Sequence, residues 1–204
     1  MSKLKIYADG GCRGNQLTNN IGAYGFIVLD EDDNVIHKEA KAFKDTTNNK
    51  MELLGVIKAI EYINSKYNNS SFILEISSDS SYVCDAFNKG WINSWMKNNW
   101  LTAKKQPVKN RDLWSRLLDC SKQHSLNFKW VKGHANNEWN NECDNILNVA
   151  MNEYKDVSKD IPKPLDVSKL PNPNSLDIKK DIDILKYLKD IRSSIDMLID
   201  YLEK

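Results

Sequence analysis

Apolar runs and polar punctuation divide the first three-quarters of the chain into short elements. Leu4 to Ala8, Tyr24 to Leu29 and Val35 to Ala42 read as strands, and the acidic turn Asp30-Glu31-Asp32-Asp33-Asn34 joins the last two as a hairpin. The period then changes. Met51, Leu54, Ile57, Ala59, Ile60 and Ile63 recur at helical spacing, Phe72 to Ser77 is a short apolar run, and Leu113, Leu117 and Leu118 mark another helical face. Leu126 to Val131 reads as a further strand, followed by a helix from about Asn140 to Tyr154. Three antiparallel strands followed by β-α-β alternation predict an α/β domain with a five-stranded mixed sheet flanked by helices.

Beyond Tyr154 the pattern differs. Pro162, Pro164, Pro171 and Pro173 crowd into one polar stretch, so residues 155–176 read as a Pro-rich linker. Ile184, Leu188, Ile191, Ile195, Leu198 and Leu202 then alternate in steps of four and three, which predicts a C-terminal amphipathic helix over 177–204. Such a seam suits a second copy of the chain or a protein partner, or it folds back on the domain. The expected organisation is an α/β domain over 1–154, the linker and this helix.

Composition narrows the class. The 204 residues carry 41% hydrophobic and 28% charged residues with a formal net charge of +1, ordinary for a globular chain and unlike a disordered or collagen-like one. No run approaches the roughly 18 apolar residues that span a bilayer, so neither a membrane nor a secretory route is expected, and a cytoplasmic location is. Cys12, Cys84, Cys120 and Cys143 are scattered without a Cys-x-x-Cys pair, which suggests neither a zinc site nor a disulfide framework. The near-zero charge hides an uneven distribution: Lys89, Lys97, Lys104, Lys105, Lys109 and Arg111 share the stretch from Ala86 to Arg111 with no acidic residue.

Among many carboxylates, position picks out four. Asp9 is expected at the end of the first strand, before Gly10-Gly11, and Asp79 at the end of a later one, where ligands collect in α/β sheets. Glu52 falls near the start of the first long helix and Asp144 within the last. Brought together, four carboxylates resist simultaneous ionisation, and divalent cations relieve that repulsion. Oxygen donors suit Mg²⁺ or Mn²⁺, and two such ions can activate water against a phosphodiester. His134 follows a strand in a polar loop, where an imidazole can carry protons.

Seven blocks follow one another along the chain: Tyr7-Ala8-Asp9-Gly10-Gly11-Cys12-Arg13-Gly14-Asn15, Thr46-Thr47-Asn48-Asn49-Lys50-Met51-Glu52-Leu53 and Ser78-Asp79-Ser80-Ser81-Tyr82-Val83, then Trp91-Ile92-Asn93-Ser94-Trp95, Pro107 to Trp114, Trp130-Val131-Lys132-Gly133-His134 and Asn140 to Asp144. In these blocks, which stand in family order, the chain carries a resemblance to ribonuclease H, type 1. The resemblance implies the ribonuclease H-like fold, with Asp9, Glu52, Asp79 and Asp144 as metal ligands and, with His134, as the catalytic set. It further implies an endonuclease that hydrolyses the RNA strand of RNA/DNA hybrids, in settings such as DNA replication. The products would be 5′-phosphate and 3′-hydroxyl ends, and the cofactor two Mg²⁺ ions with Mn²⁺ as substitute.

The same likeness implies hybrid contacts from Cys12, Arg13, Asn15, Asn48, Asn49, Ser81 and Asn140, and a basic protrusion built from Trp91, Lys97, Lys104, Lys105 and Lys109. Taken without it, Trp91 and Trp95 read as a packed helical face and Asn48-Asn49 as a turn. Departures concern the substrate side: Lys50 stands where the family usually has arginine and Ser81 where glutamine is common. The linker and terminal helix fall outside the family pattern, leaving as an alternative a non-catalytic hybrid-binding or scaffolding protein that works through that helix.

Overall fold

The computed structural model describes residues 2–14, 19–68, 70–133 and 137–154. The expected linker over 155–176 and helix over 177–204 lie outside the described residues, as do Asn15 and His134. Strands β1 (Lys3–Arg13), β2 (Ile21–Leu29) and β3 (Val35–Lys44) pair antiparallel as the alternation predicts. Asp30 organises the hairpin turn: its carboxylate accepts the backbone N–H groups of Asp32 and Asn34, both at 2.9 Å.

A crossover through α1 (Asn48–Lys66) leads to β4 (Ile73–Ser78), which lies parallel to β1. Helices α2 (Ser81–Asn88), α3 (Trp91–Lys97) and α4 (Arg111–Ser121) precede β5 (Ser125–Trp130), parallel to β4, and α5 (Glu138–Glu153) follows. The sheet order is β3-β2-β1-β4-β5, the predicted mixed sheet.

Alternation along β1 divides the core between the two faces of the sheet. Leu4, Ile6 and Ala8 meet Leu53, Val56, Ile57, Ile60 and Ile63 of α1, with Leu74, Ile76 and the fully buried Trp114 of α4 in the same cluster. Tyr7 points the other way, into the cluster that Ile27 and Leu29 form with Cys143 and Ile146 of α5. Each fully buried Leu or Ile side chain contributes about 1.5–3 kcal/mol, so burial on these two faces is what fixes α1 and α5 to the sheet. Among the described residues no helix is long and apolar enough to cross a membrane.

One expectation needs correcting. Asp9 does not end the first strand: β1 runs on to Arg13, with Asp9 opposite Gly25 and Arg13 opposite Ile21. The extension is held by backbone pairing to β2 and needs no apolar side chains, so the hydrophobic pattern stops short of it. What does end near Asp9 is the parallel ladder to β4, whose last pair is Tyr7 with Ser77.

Candidate active site

The sheet forks where that ladder ends. Beyond Tyr7 and Ser77, β1 continues with β2 alone while β4 stays with β5 as far as Ser78 and Trp130, so Asp9 and Asp79 stand at the mouth of the split. Open α/β sheets gather ligands at such divergences. Gly10 lets α1 come in beside Asp9: a Cβ there would lie 2.7 Å from the Glu52 Cα and nearer still to the backbone of Met51 and Glu52. That close approach brings Glu52, in the first turns of α1, next to the fork. Helix α5 brings Asp144 from the opposite face of the sheet.

The charges of three other carboxylates reach Asp9. Asp9 is only 8% exposed, and its carboxyl is pushed up to about 8, first by desolvation and then by the negative charges of Asp79, Asp144 and Glu52. A hydrogen bond from its own neighbour, Gly10 N–H to Asp9 Oδ1 at 2.6 Å, works against that rise without cancelling it. Glu52 is also raised, mainly by burial and in part by Asp79, while Ser80 and Asn48 favour its ionised form. Asn48 Nδ2 donates to Glu52 Oε1 at 2.9 Å, whereas Glu52 Oε2 is buried with no closed hydrogen bond.

Asp79 is gripped from several sides. Trp130 Nε1 donates to its main-chain oxygen at 2.9 Å, and Gly133 packs so closely that a Cβ would lie 2.6 Å from Asp79 Oδ2. Asn140, 2% exposed at the start of α5, brings Nδ2 to a long 3.5 Å from the same oxygen, and its own Oδ1 is buried without a partner. Asp144 receives Asn148 Nδ2 on its main-chain oxygen at 2.8 Å and on Oδ1 at 3.0 Å.

The remaining residues expected to contact substrate form a rim and an arm. Cys12 is half-buried on β1, with Sγ 3.7 Å from the Thr46 carbonyl, and Asn49 and Ser81 are exposed at the starts of α1 and α2. Arg13 is exposed and turned toward α5, donating to Asn152 and Asn148. In the arm, Trp95 packs between Trp91 and Trp114, with ring centroids 6.2 and 5.5 Å away, while Trp91 keeps 37% of its surface. Lys97, Lys104, Lys105 and Lys109 are exposed, and none has a carboxylate partner among the ion pairs of the described residues. Lys89 differs, being paired with Asp85 at 2.7 Å.

The donor set fits a hard divalent cation. All four groups are carboxylates, and burial first, with the charges of the other three added, leaves Asp9 far above the ordinary range. The buried Glu52 Oε2 closes no hydrogen bond of good geometry, although the Ser80 side chain lies near enough to favour the ionised form, so it leaves an acceptor open to a cation. Among the described residues no three His, Cys, Asp or Glu side chains stand close enough to hold a metal ion by themselves, so water or phosphate oxygens would have to supply much of the shell, as Mg²⁺ commonly requires. Sequence reasoning missed Trp130 and Asn148. The first stands in a motif that gives its indole no role of its own; the second carries a signal in the four-residue repeat Asn140, Asp144, Asn148, Asn152 along one stripe of α5.

Comparison with known proteins agrees with this geometry. The sequence model of the family described as RNase H matches residues 1–152. A Ribonuclease H of Clostridium botulinum is 47% identical over 156 residues, covering 76% of this chain and 99% of that protein. A Ribonuclease H of Caldanaerobacter subterraneus subsp. tengcongensis is 42% identical over 152 residues, 74% of this chain and 92% of that one. The crystal structure of LC9-RNase H1, a type 1 RNase H with the type 2 active-site motif, matches with a TM-score of 0.65 at 25% identity, covering 74% of this chain and 73% of that chain. That of LC11-RNase H1 in complex with RNA/DNA hybrid has the same fold, with a TM-score of 0.56 at 22% identity over 73% of this chain and 96% of that one.

Proposed function

The chain belongs to the ribonuclease H family and is an endoribonuclease, and from that premise we propose that it hydrolyses the RNA strand of RNA/DNA hybrids, divalent cations being required, to 5′-phosphate and 3′-hydroxyl ends. The observation that carries this reading is the convergence of Asp79, Asp144 and Glu52 on the buried Asp9 at the fork of the sheet. Asp9, Glu52, Asp79 and Asp144 are the residues that would hold two Mg²⁺ ions, with Mn²⁺ as substitute. When bound, such ions supply Lewis acidity that eases deprotonation of the attacking water and offsets charge on the departing oxygen.

The residues of the chain account for the rest. Water oxygen bonds to phosphorus as the bond from phosphorus to the 3′ oxygen breaks, so the phosphate stays on the 5′ side and the 3′ oxygen takes up a proton. His134 is assigned the transfer of that proton. Lys97, Lys104, Lys105 and Lys109 hold phosphates without reading sequence, and Trp91 offers an exposed ring beside them. Asn48, Asn49, Ser81 and the backbone around Cys12 and Arg13, with Asn15 and Asn140, are assigned to the minor-groove side. There short donors and acceptors can tell 2′-hydroxyls from deoxyribose. We assign residues 1–154 as the catalytic unit and 177–204 as a helix for a second copy or a protein partner. Hybrids arise in DNA replication, and we assign the protein to the cytoplasm.

Labelled hybrid, duplex DNA and duplex RNA, each incubated with Mg²⁺ and either wild type or Asp9→Asn, test the reading. Wild type should cut only the RNA of the hybrid, whereas Asp9→Asn should bind hybrid and leave it whole. Intact hybrid after wild-type treatment, or equal cutting of all three substrates, overturns it.

A further inference from the structure

The fourth carboxylate has a support of its own. On α5 the stripe Cys143, Leu147 and Met151 is buried against the sheet, and beside it runs the polar stripe Asn140, Asp144, Asn148 and Asn152. Asn148 reaches back one turn and donates from Nδ2 both to the Asp144 main-chain oxygen, 2.8 Å, and to Oδ1, 3.0 Å. Its other amide atom, Oδ1, accepts from Arg13 Nη2 at 2.9 Å. Arg13 is anchored in turn, with Nη2 3.3 Å from the Asn148 main-chain oxygen and Nη1 donating to Asn152 Oδ1 at 2.6 Å.

Donor and acceptor counting makes this arrangement directional. A guanidinium carries five donors and no acceptor, so the only end of the Asn148 amide it can face is Oδ1. Arg13 therefore forces Nδ2 toward Asp144. A half-buried carboxylate on a helix has two rotatable bonds, and the Asn148 bond fixes Oδ1 relative to the α5 backbone. Neutrality of the intervening amide matters as well. A guanidinium placed directly on Asp144 would neutralise the charge that a cation needs; with Asn148 between them, orientation is passed on and the negative charge is kept.

We propose that Asn148 is a positioning residue for Asp144 and that Arg13 sets the orientation in which it works. This rests on the reading of the four carboxylates as the hydrolytic site. It also gives Arg13 a role apart from gripping the hybrid, because its guanidinium is spent on α5.

The test is a double-mutant cycle in the full chain, with Asn148→Leu, Arg13→Met and the pair, assayed on labelled hybrid at saturating Mg²⁺. Loss of an outer hydrogen-bond partner of a ligand typically costs about 10- to 100-fold, so Asn148→Leu should lower kcat by about 10-fold or more with KM for hybrid unchanged. Arg13→Met should lower kcat less, again without a change in KM, Arg13→Lys should restore most of it, and the double variant should match Asn148→Leu alone. A second readout needs neither metal nor substrate: exchange of the Asn148 side-chain amide protons, followed by NMR, should be slow in wild type and fast in Arg13→Met at equal thermal stability. If Asn148→Leu does not fold, Asn148→Ala carries the same cycle.

A rise in KM as the main effect of Arg13→Met, additive losses in the cycle, or unchanged kcat in Asn148→Leu each overturns the proposal. Asp9→Asn, run alongside, separates the two readings. If Asp9→Asn is inactive while Asn148→Leu is normal, only the positioning role falls; if Asp9→Asn still cuts, the carboxylate site falls with it.

Discussion

Gly10→Ala probes the close approach on which the site depends. The added Cβ would sit 2.7 Å from Glu52 Cα and closer to Met51 C and Glu52 N, against about 3.5–4 Å for an ordinary carbon contact. The deficit is about 1 Å at Glu52 Cα and larger at the other two atoms, and no rotation relieves it, because the clashing atoms of α1 are backbone. Helix α1 cannot tilt freely either, since Met51, Leu53, Val56 and Ile57 are all at most 1% exposed. Overpacking of this kind costs about 1–3 kcal/mol, and a clash between two anchored backbones belongs at the upper end. With about 2–4 °C per kcal/mol for chains of this size, melting should fall by about 6–12 °C. Activity measured well below that temperature should fall further, by about 100-fold, because Glu52 is carried about 1 Å away from Asp9. Gly90→Ala is the comparison. Its φ is +69° with nothing within 4 Å of a Cβ, so it should show only about 1–2 kcal/mol of backbone strain and unchanged kcat. If Gly10→Ala melts within about 2 °C of wild type and keeps its kcat, the close approach does not control the site.

Without divalent cations the contribution of Asp9 to stability should fall as pH rises from about 4 to about 8. The Asp9 carboxyl is higher folded, at about 8, than its ordinary 3.8, so the unfolded chain gives up that proton first. Melting curves in chelator should show the slope, and Mg²⁺ or Asp9→Asn should flatten it; a wild-type curve no steeper than Asp9→Asn contradicts the cause given. Replacing Lys104 and Lys105 together by Ala should weaken hybrid binding and reduce the slope of log K against log salt by about 0.9 for each phosphate no longer neutralised, and an unchanged slope argues against phosphate binding there. Gly133→Ala, whose Cβ would meet Asp79 Oδ2 at 2.6 Å, should lower kcat with little change in melting temperature; normal turnover would show that Asp79 need not be held there. A chain ending at Tyr154 should still cut hybrid, and sedimentation against the full chain reads whether residues 155–204 bring copies together.

Much of this protein is local and therefore legible. The strand runs, the Asp30 turn and the helical spacing of Met51 to Ile63 each depend on side-chain periodicity and turn chemistry within a few residues, and each has its counterpart in the fold. The four carboxylates can be named for the same reason: motif spacing survives in one dimension. Trp95 shows the limit, since its spacing from Trp91 suggests a shared packed face, yet Trp95 lies between rings while Trp91 keeps an open edge.

What the linear pattern does not decide is where elements part and meet. Asp9 looks like a strand end because the apolar residues stop there, but hydrogen-bond ladders ignore side-chain polarity and carry β1 on to Arg13. Its position matters because the parallel partner leaves at Tyr7 and Ser77, a property of two strands about 70 residues apart. Likewise the four-residue repeat puts Asn148 on the stripe of Asp144, but only Arg13, from the far end of β1, takes its oxygen and turns its nitrogen toward Asp144. Periodicity, turns and motif order come from the sequence alone. The convergence of charges, and the supports that orient them, come from contacts between distant segments that only the packed sheet brings within hydrogen-bond range.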